Sequence, residues 1–410
     1  MNEKSVAGES MSPGRRLAWG LTATWLVQVV GTAAMFGVHV LAPAIAMEMG
    51  VDATLVGVYV AIAYLTGQLS GLACGGFVDR YGALRMSQVS CLFAALGIVT
   101  LFPAHVWLAP VAAVFMGICY GPLNPTSTAI LRGLGNQNRQ PLIFSVKQTG
   151  VPFAGVLVGM SLPAVTAMYD WRIAFGLYAV IAIVVALAIQ PVREVFDHRR
   201  DRDGGRPKIA IWGPLKMVLR DPALRALALV GFALAGAQIS LGSFYVLYLI
   251  HTLNWSLVDA GMLYAVVQGG GIFGRLMWGY VAKQVFSPVS VLVGVSAMVC
   301  GLFMLTTLVT PEWPIWLIAA LSLLLGGCSY GWNGVWLSEV ADIAPQTDVN
   351  AATGGAQFIM FGGVTVMPPI FGALVDASGS YTAPFVAAGV FVLAVAVYLI
   401  VVLQRTRATN

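Results

Sequence analysis

The residues of this sequence that could do chemistry are two basic side chains placed inside long apolar runs. Lys147 lies about five residues into one run, and Arg275 lies about six residues before the end of another. An ionisable side chain within a membrane span costs at least about 2.5–3.5 kcal/mol, so such a residue is a candidate for function. Asp and Glu residues fall at the ends of the runs instead. Embedded cations without an embedded acid suit the binding of an anion.

Both basic residues also have a structural interpretation. Each lies close enough to one end of its run to snorkel, with the aliphatic stem in lipid and the charged head among lipid phosphates. Each could instead pair with backbone carbonyls of a neighbouring helix. The sequence leaves these interpretations open.

Uncharged polar residues inside the apolar runs form a second candidate group. They could line a substrate cavity or bridge helices through hydrogen bonds. They are Gln28, Asn124, Gln148, Gln238, Gln268, Asn333 and Gln357. His39, toward the outer part of the first run, is a candidate proton carrier, and its structural interpretation is a packed, hydrogen-bonded histidine.

Composition restricts the elements that position these residues. Of the 410 residues, 59% are apolar and 10% are charged, against roughly 25% charged in an ordinary soluble domain. This excludes a water-soluble globular protein, which could not cover its surface with polar side chains, and it excludes a disordered chain. Five cysteines, all inside apolar runs, exclude a secreted disulfide scaffold. The chain is therefore expected in a bilayer.

Twelve runs are long enough to span a membrane as helices, because a span needs about 20 mostly apolar residues with every backbone group bonded internally. We predict an all-α membrane protein with spans at 18–46, 54–77, 86–104, 108–132, 143–168, 172–190, 222–250, 256–281, 286–309, 313–338, 350–375 and 380–403. Pro122, Pro125 and Pro152 are expected to bend the fourth and fifth spans.

The basic residues predict the orientation. With alternating spans, Arg15, Arg16, Arg80 and Arg85 lie at cytoplasmic ends, whereas Arg172 lies outside. Both termini are then cytoplasmic, and we expect a multi-pass protein of the bacterial inner membrane. The bases lie at the ends of runs and are not interleaved with aromatic residues, so we expect no nucleic-acid partner.

The chain divides near its middle. We predict an N-terminal six-helix bundle at 1–190, a polar cytoplasmic linker at 191–221 and a C-terminal six-helix bundle at 222–410. The halves resemble repeats. Matching residues lie about half the chain length apart, namely Gly67 and Gly270, Gly71 and Gly274, Gly117 and Gly326, and Asn124 and Asn333.

The loop after the second run carries the most specific motif. Residues 76–82 read Gly-Phe-Val-Asp-Arg-Tyr-Gly, and the chain resembles the major facilitator superfamily in this segment, in its twelve spans and in residues 170–175. The resemblance implies two six-helix bundles and a gating role for this loop. The gating residues are then Gly76, Asp79, Arg80 and Gly82. An acid such as Asp79 can accept hydrogen bonds from the N-terminus of a neighbouring helix and pair with a base.

The eighth run is similar to the arginine-bearing span of the oxalate:formate antiporter and monocarboxylate transporter families. In those relatives an arginine faces the central cavity and pairs with the substrate carboxylate, which implies this role for Arg275. The chain departs from both families elsewhere. The acidic-Gly-aromatic signature is absent from the first run, and Gln357 is the polar residue where oxalate carriers place a lysine.

No enzyme site is visible. There is no P-loop pattern, and four separated histidines give no metal-ligand spacing, so we expect no enzyme activity, cofactor or metal. We predict a secondary active transporter of a small organic anion, a mono- or dicarboxylate, coupled to protons in symport and functional as a monomer. The alternative is a drug or metabolite:proton antiporter working as an exporter, which would be expected to carry an embedded carboxylate.

Overall fold

A computed structural model of the chain describes residues 11–132, 134, 140–197, 212–344 and 349–409. These residues are almost entirely helical. The α-helices are Pro13–Met49, Val56–Tyr81, Ala83–Leu101, Leu108–Tyr120, Leu123–Leu131, Gln140–Gln148, Gly150–Met168, Trp171–Ala188, Arg193–Phe196, Trp212–Arg220, Pro222–Leu253, Leu257–Gln284, Pro288–Thr306, Ile315–Gly331, Asn333–Ile343, Val349–Ser378 and Thr382–Thr409.

Twelve helical segments of the described chain are long and apolar enough to cross a membrane. In chain order, spans 1 to 12 are Pro13–Met49, Ala53–Tyr81, Ala83–Leu101, Leu108–Leu131, Val146–Met168, Trp171–Phe196, Pro222–Leu253, Leu257–Ala282, Pro288–Thr306, Ile315–Ile343, Ala352–Ser378 and Thr382–Arg405. The predicted all-α membrane fold with twelve spans is confirmed, whereas the orientation stays a prediction.

Spans 4, 5 and 10 are each built from two helical pieces. Span 4 is interrupted at Pro122, which has no N–H to continue the helical ladder. Span 5 is interrupted at Thr149, one residue before the helix that contains Pro152. Span 10 is interrupted at Trp332 without a proline. The interruptions of spans 4 and 5 lie near Pro122 and Pro152, where bends were expected, and the interruptions of spans 4 and 10 lie beside Asn124 and Asn333.

Contacts group the chain into two units. The first unit comprises Met1–Val38 with Ile62–Ile209, and the second comprises His39–Ala61 with Ala210–Asn410. The predicted division at 190 and 222 stays a prediction, and residues 198–211 of the predicted linker lie outside the described residues.

In the first unit, glycines bring span 2 close to span 4. A Cβ on Gly71 would lie 3.0 Å from the carbonyl oxygen of Gly121, and one on Gly117 would lie 2.8 Å from the backbone nitrogen of Gly67. Span 3 packs against spans 4 and 6. Small residues therefore allow the close helix approach expected in a membrane interior.

In the second unit, span 8 packs against span 10 in the same way. A Cβ on Gly270 would lie 3.0 Å from the nitrogen of Gly327, and one on Gly326 would overlap the backbone of Val267. Gly270, Gly274 and Gly326 are the residues that the sequence matched to Gly67, Gly71 and Gly117. The matched glycines thus serve the same packing purpose within each unit.

Candidate substrate-binding site

Lys147 is buried in the first unit and is held by two side-chain amides. It lies at the start of span 5, with 1% of its surface exposed. Its Nζ donates to Oε1 of Gln28 at 2.6 Å and to Oδ1 of Asn124 at 2.8 Å. The side chain therefore turns into the helices and does not snorkel to the surface. Three residues predicted to bind substrate meet at this point.

Neighbouring contacts fix the amide that receives the lysine. Nε2 of Gln28 donates to Oγ1 of Thr32 at 2.9 Å, so the amide oxygen is left to face Lys147. A Cβ on Gly150 would lie 3.2 Å from Cγ of Gln28. Glycine at this position therefore lets the start of span 5 approach span 1.

The partners of Lys147 do not cancel its charge. An ammonium has three N–H donors, and the two amides accept from two of them. Both acceptors are neutral, and within the described part of the chain no ion pair offsets the ammonium. A buried charge without an opposite charge is costly. An anion is the ligand that would offset this charge most directly.

Arg275 lies on span 8 of the second unit and reaches the interruption of span 10. It is half-buried, and its Nε donates to the backbone oxygen of Tyr330 at 3.2 Å. The indole Nε1 of Trp278 donates to the backbone oxygen of Gly327 at 3.0 Å. Both side chains thus satisfy carbonyls near the end of helix Ile315–Gly331, where the helical ladder stops.

Two further predicted residues meet beside Arg275. Nδ2 of Asn333 donates to Oε1 of Gln238 at 3.2 Å and to the backbone oxygen of Tyr330 at 3.4 Å. Arg275 and Asn333 therefore share one carbonyl acceptor. The second unit brings Arg275, Asn333 and Gln238 together at the interruption of span 10.

Gln268 is a buried amide with unused hydrogen-bonding capacity. It lies seven residues before Arg275 on the same helix, has 0% of its surface exposed, and lies beside the hydroxyls of Tyr264 and Tyr330. Among the described residues, neither its amide nor the buried hydroxyl of Tyr264 makes a well-aligned hydrogen bond. Buried polar groups are normally paired, so these atoms are candidates for contact with a polar ligand.

His39 is buried in the second unit, with 1% of its surface exposed. A Cβ on Gly242 of span 7 would lie 3.8 Å from Nδ1 of His39 and 2.7 Å from the hydroxyl of Tyr330. The histidine thus approaches span 7, the helix that carries Gln238. Gln148 is exposed on span 5, and Gln357 is half-exposed on span 11.

The polar clusters occupy matched positions in the two halves of the sequence. Gln28 and Gln238 lie 210 residues apart, as do Lys147 and Gln357, and Asn124 and Asn333 lie 209 apart. In the first unit the two amides converge on an ammonium, whereas in the second the amides bond to each other. Among these pairs only the asparagines were matched from the sequence, although nearly the same spacing relates the other two pairs.

Asp197, which was not among the predicted site residues, contacts the start of span 3 beside the predicted gating segment. Its Oδ1 accepts from the backbone N–H of Leu84 at 2.8 Å, its Oδ2 from that of Arg85 at 3.0 Å, and Nε of Arg193 lies 3.5 Å away. Gly82 precedes this helix with φ +97°, and a Cβ there would overlap the Asp197 side chain. Asp197 thus caps span 3, and the gating role of Asp79 stays a prediction.

Burial and hydrogen bonding shift the pKa of Asp197 in opposite directions. Burial raises the pKa of the carboxyl above its usual range, while the two backbone amides and Arg193 oppose that rise. Asp79 and Arg80 of the same segment are exposed, and the guanidinium of Arg80 lies 5.5 Å from the ring centre of Tyr81. The exposed charges of residues 76–82 are therefore accompanied by a buried carboxylate, that of Asp197, from the end of span 6.

Similar proteins of known structure share this fold. A bacterial homologue of the human lysosomal transporter Spinster, inward-facing and occupied, is 13% identical with a TM-score of 0.75, covering 96% of this chain and 98% of that one. The peptide transporter POT in complex with sulfate is 15% identical with a TM-score of 0.71, covering 97% and 99%.

Sequence relatives are transporters as well. The hexuronate transporter of Bacillus subtilis (strain 168) is 21% identical over 346 residues, which is 76% of each protein. The multidrug resistance protein MdtH of Salmonella arizonae is 27% identical over 141 residues, or 34% of this chain and 35% of that protein. The family model described as Major Facilitator Superfamily matches residues 24–339. The chain is therefore a transporter, not an enzyme, and belongs to the Major Facilitator Superfamily.

Proposed function

We propose that this transporter carries a small organic anion, a mono- or dicarboxylate, in symport with protons. The observation that carries the proposal is the burial of Lys147 between two neutral amides. A substrate carboxylate would supply the opposite charge that Gln28 and Asn124 cannot. The ammonium would then supply the main attraction for the substrate, and the two amides would hold the ammonium in position.

In the second unit, Arg275 is the residue that supports an anionic substrate. Its guanidinium is half-buried and anchored through Nε to the Tyr330 carbonyl. A planar guanidinium is charged and matches the geometry of a carboxylate. The resemblance of span 8 to the oxalate:formate and monocarboxylate branches fits this role, and we propose Arg275 as a second carboxylate-binding residue.

The relative named as a hexuronate transporter suggests which carboxylates to test first. A hexuronate carries several hydroxyl groups besides its carboxylate. Gln268 and the hydroxyl of Tyr264 are buried groups that could bond to such hydroxyls. We therefore place hydroxylated carboxylates ahead of simple ones as candidates.

Proton coupling is proposed through His39 or through the substrate's own carboxylate. Histidine is the side chain whose ordinary titration range is nearest neutrality, and His39 is buried beside span 7. A proton carried with a monoanion balances its charge. Gating is proposed at Gly76, Asp79, Arg80 and Gly82, in a monomer of the bacterial inner membrane with both termini in the cytoplasm.

The deciding experiment is uptake into proteoliposomes. A panel of labelled hexuronates, monocarboxylates and dicarboxylates would be tested with and without an inward proton gradient, using the wild type and Arg275→Gln. We expect gradient-dependent accumulation of at least one carboxylate, lost in the variant although the variant remains folded. Normal uptake by Arg275→Gln would refute its assignment, and no carboxylate uptake by the wild type would refute the proposal.

A drug or metabolite:proton antiporter is the second candidate, favoured by the partial similarity to the multidrug resistance protein. Export of a cation would be expected to use a central carboxylate, whereas the acids within the described spans all lie near helix ends, namely Glu48, Asp79, Glu194, Asp259, Glu339, Asp342 and Asp376. Proton-driven transport of lipophilic cations, with no carboxylate transported, would make this candidate the better one.

A further inference from the structure

A groove of about 860 Å³ opens on the first unit beside the segment at residues 76–82. Its lining comes from spans 2, 3 and 4 and from the end of span 6. Much of the lining is apolar, including Ala73, Cys74, Val89 and Phe93. This volume lies within the range of about 300–1,000 Å³ that is typical of ligand pockets. The groove is therefore large enough to hold part of an organic ligand.

Three arginines line the groove, and no acidic residue is among the residues that line it. Arg80 ends span 2, Arg85 begins span 3 and Arg193 ends span 6, so their charges gather at one end of the spans. Arg193 is partly balanced by the neighbouring Asp197 at 3.5 Å. Asp79 and Glu194, the acidic chain neighbours of Arg80 and Arg193, are exposed and do not line the groove. The lining at this end is therefore cationic.

The remaining contacts of the arginines are to neutral groups. Nη1 of Arg85 donates to Oε1 of Gln88 at 3.0 Å, and Arg80 lies over the ring of Tyr81. Phe77 and Tyr81 line the same groove and are 46% and 44% exposed. Aromatic residues are enriched at the depth of lipid headgroups. The groove thus has an apolar wall, an aromatic rim and a cationic end.

We propose that this groove binds an anionic phospholipid. An acyl chain would lie along Ala73, Val89 and Phe93, and the phosphate would bind the arginines at the water-facing end of the spans. Basic pockets between membrane helices bind anionic headgroups in this way. A free inorganic anion would bind the arginines but leave the apolar wall uncovered. A zwitterionic lipid has no net charge and would interact more weakly with the arginines. The proposal is independent of the transported substrate.

The test measures lipid binding to the purified full-length transporter in detergent by native mass spectrometry. Phosphatidylglycerol and phosphatidylcholine with identical acyl chains would be titrated separately, with inorganic phosphate as a competitor. We expect tighter binding of phosphatidylglycerol and only weak competition by phosphate. Each of Arg80→Gln and Arg85→Gln should weaken phosphatidylglycerol binding about fivefold, because each arginine near an anionic headgroup makes a comparable contribution.

Two further variants make the test specific. Arg15→Gln removes an exposed arginine that does not line the groove, so its lipid affinity should equal that of the wild type. Val89→Trp should weaken binding by filling the apolar wall while all three arginines remain. If Arg85→Gln fails to fold, Arg80→Gln still decides, because Arg80 is exposed.

Three results would overturn the proposal. Equal binding of the two lipids would show that the arginines do not select charge. Complete displacement of phosphatidylglycerol by inorganic phosphate would indicate a soluble anion as the ligand. Unchanged phosphatidylglycerol binding in both Arg80→Gln and Val89→Trp would place the lipid elsewhere on the protein.

Discussion

Replacing Lys147 by glutamine separates its role in transport from its role in stability. The change removes two charge-assisted hydrogen bonds, to Gln28 and Asn124, worth about 1.5–3 kcal/mol each. It also relieves the cost of a buried charge, about 2.5–3.5 kcal/mol. The two bonds total about 3–6 kcal/mol, so the relieved charge offsets about half or more of their loss. Hydrogen bonds of the new amide restore part of the difference, so we expect Lys147→Gln to unfold within a few degrees of the wild type.

The effect on transport should be much larger. A carboxylate about 4 Å from an ammonium at an effective dielectric constant of 20 gains about 4 kcal/mol. Losing that interaction corresponds to about a thousandfold in kcat/KM for uptake. The measurement is initial uptake into proteoliposomes at matched protein content, with a melting curve of each preparation.

Lys216→Gln is the matched control, because Lys216 is exposed on helix Trp212–Arg220. It should transport as the wild type does. If Lys147→Gln kept kcat/KM within about threefold of the control, the ammonium would not bind substrate, and the reasoning from its neutral partners would be refuted. A variant that lost transport only because it was unfolded would show in the melting curve.

Three further predictions concern backbone, specificity and coupling. Gly82→Ala should lower the free energy of unfolding by about 1–3 kcal/mol, because the positive φ of Gly82 and the adjacent Asp197 exclude a Cβ. Gly75→Ala is the control and should not lower it, because no atom lies near the new Cβ. Equal melting temperatures of the two variants would contradict this prediction. Gln268→Leu should reduce uptake of hydroxylated carboxylates more than that of simple ones, and an equal reduction in competition assays would remove its proposed role. His39→Gln should abolish proton-driven accumulation but retain exchange of substrate across the membrane, so accumulation at the wild-type level would exclude it as the proton carrier.

The sequence predicted the helices well because burial in a bilayer requires long apolar runs. The predicted span boundaries were less accurate where a boundary depends on residues far away in the chain. The third span was expected at 86–104 and lies at Ala83–Leu101. Its start depends on Gly82 and on the carboxylate of Asp197, more than a hundred residues later. No local pattern contains that information.

Composition and spacing identified the polar residues but not their partners. Lys147, Gln28 and Asn124 come from three spans, and their meeting depends on helix rotation, which a single sequence defines only to within a residue or two. The interruption of span 4 was predictable from Pro122, because proline removes a helical donor. The interruption of span 10 follows no proline, so the free carbonyl of Tyr330 that Arg275 uses was not foreseen.

The neutral partners of Lys147 have an electrical consequence. Gln28 and Asn124 cannot ionise, so they cannot compensate the charge of the ammonium when no anion is bound. A bound monoanion alone would cancel that charge, whereas the anion together with its co-transported proton leaves the loaded protein with the same single charge as the empty one. A potential of 100 mV acts with about 2.3 kcal/mol on a charge that crosses the full field. Voltage should therefore act equally and in opposite directions on the loaded and the unloaded steps, so that a complete symport cycle generates no current.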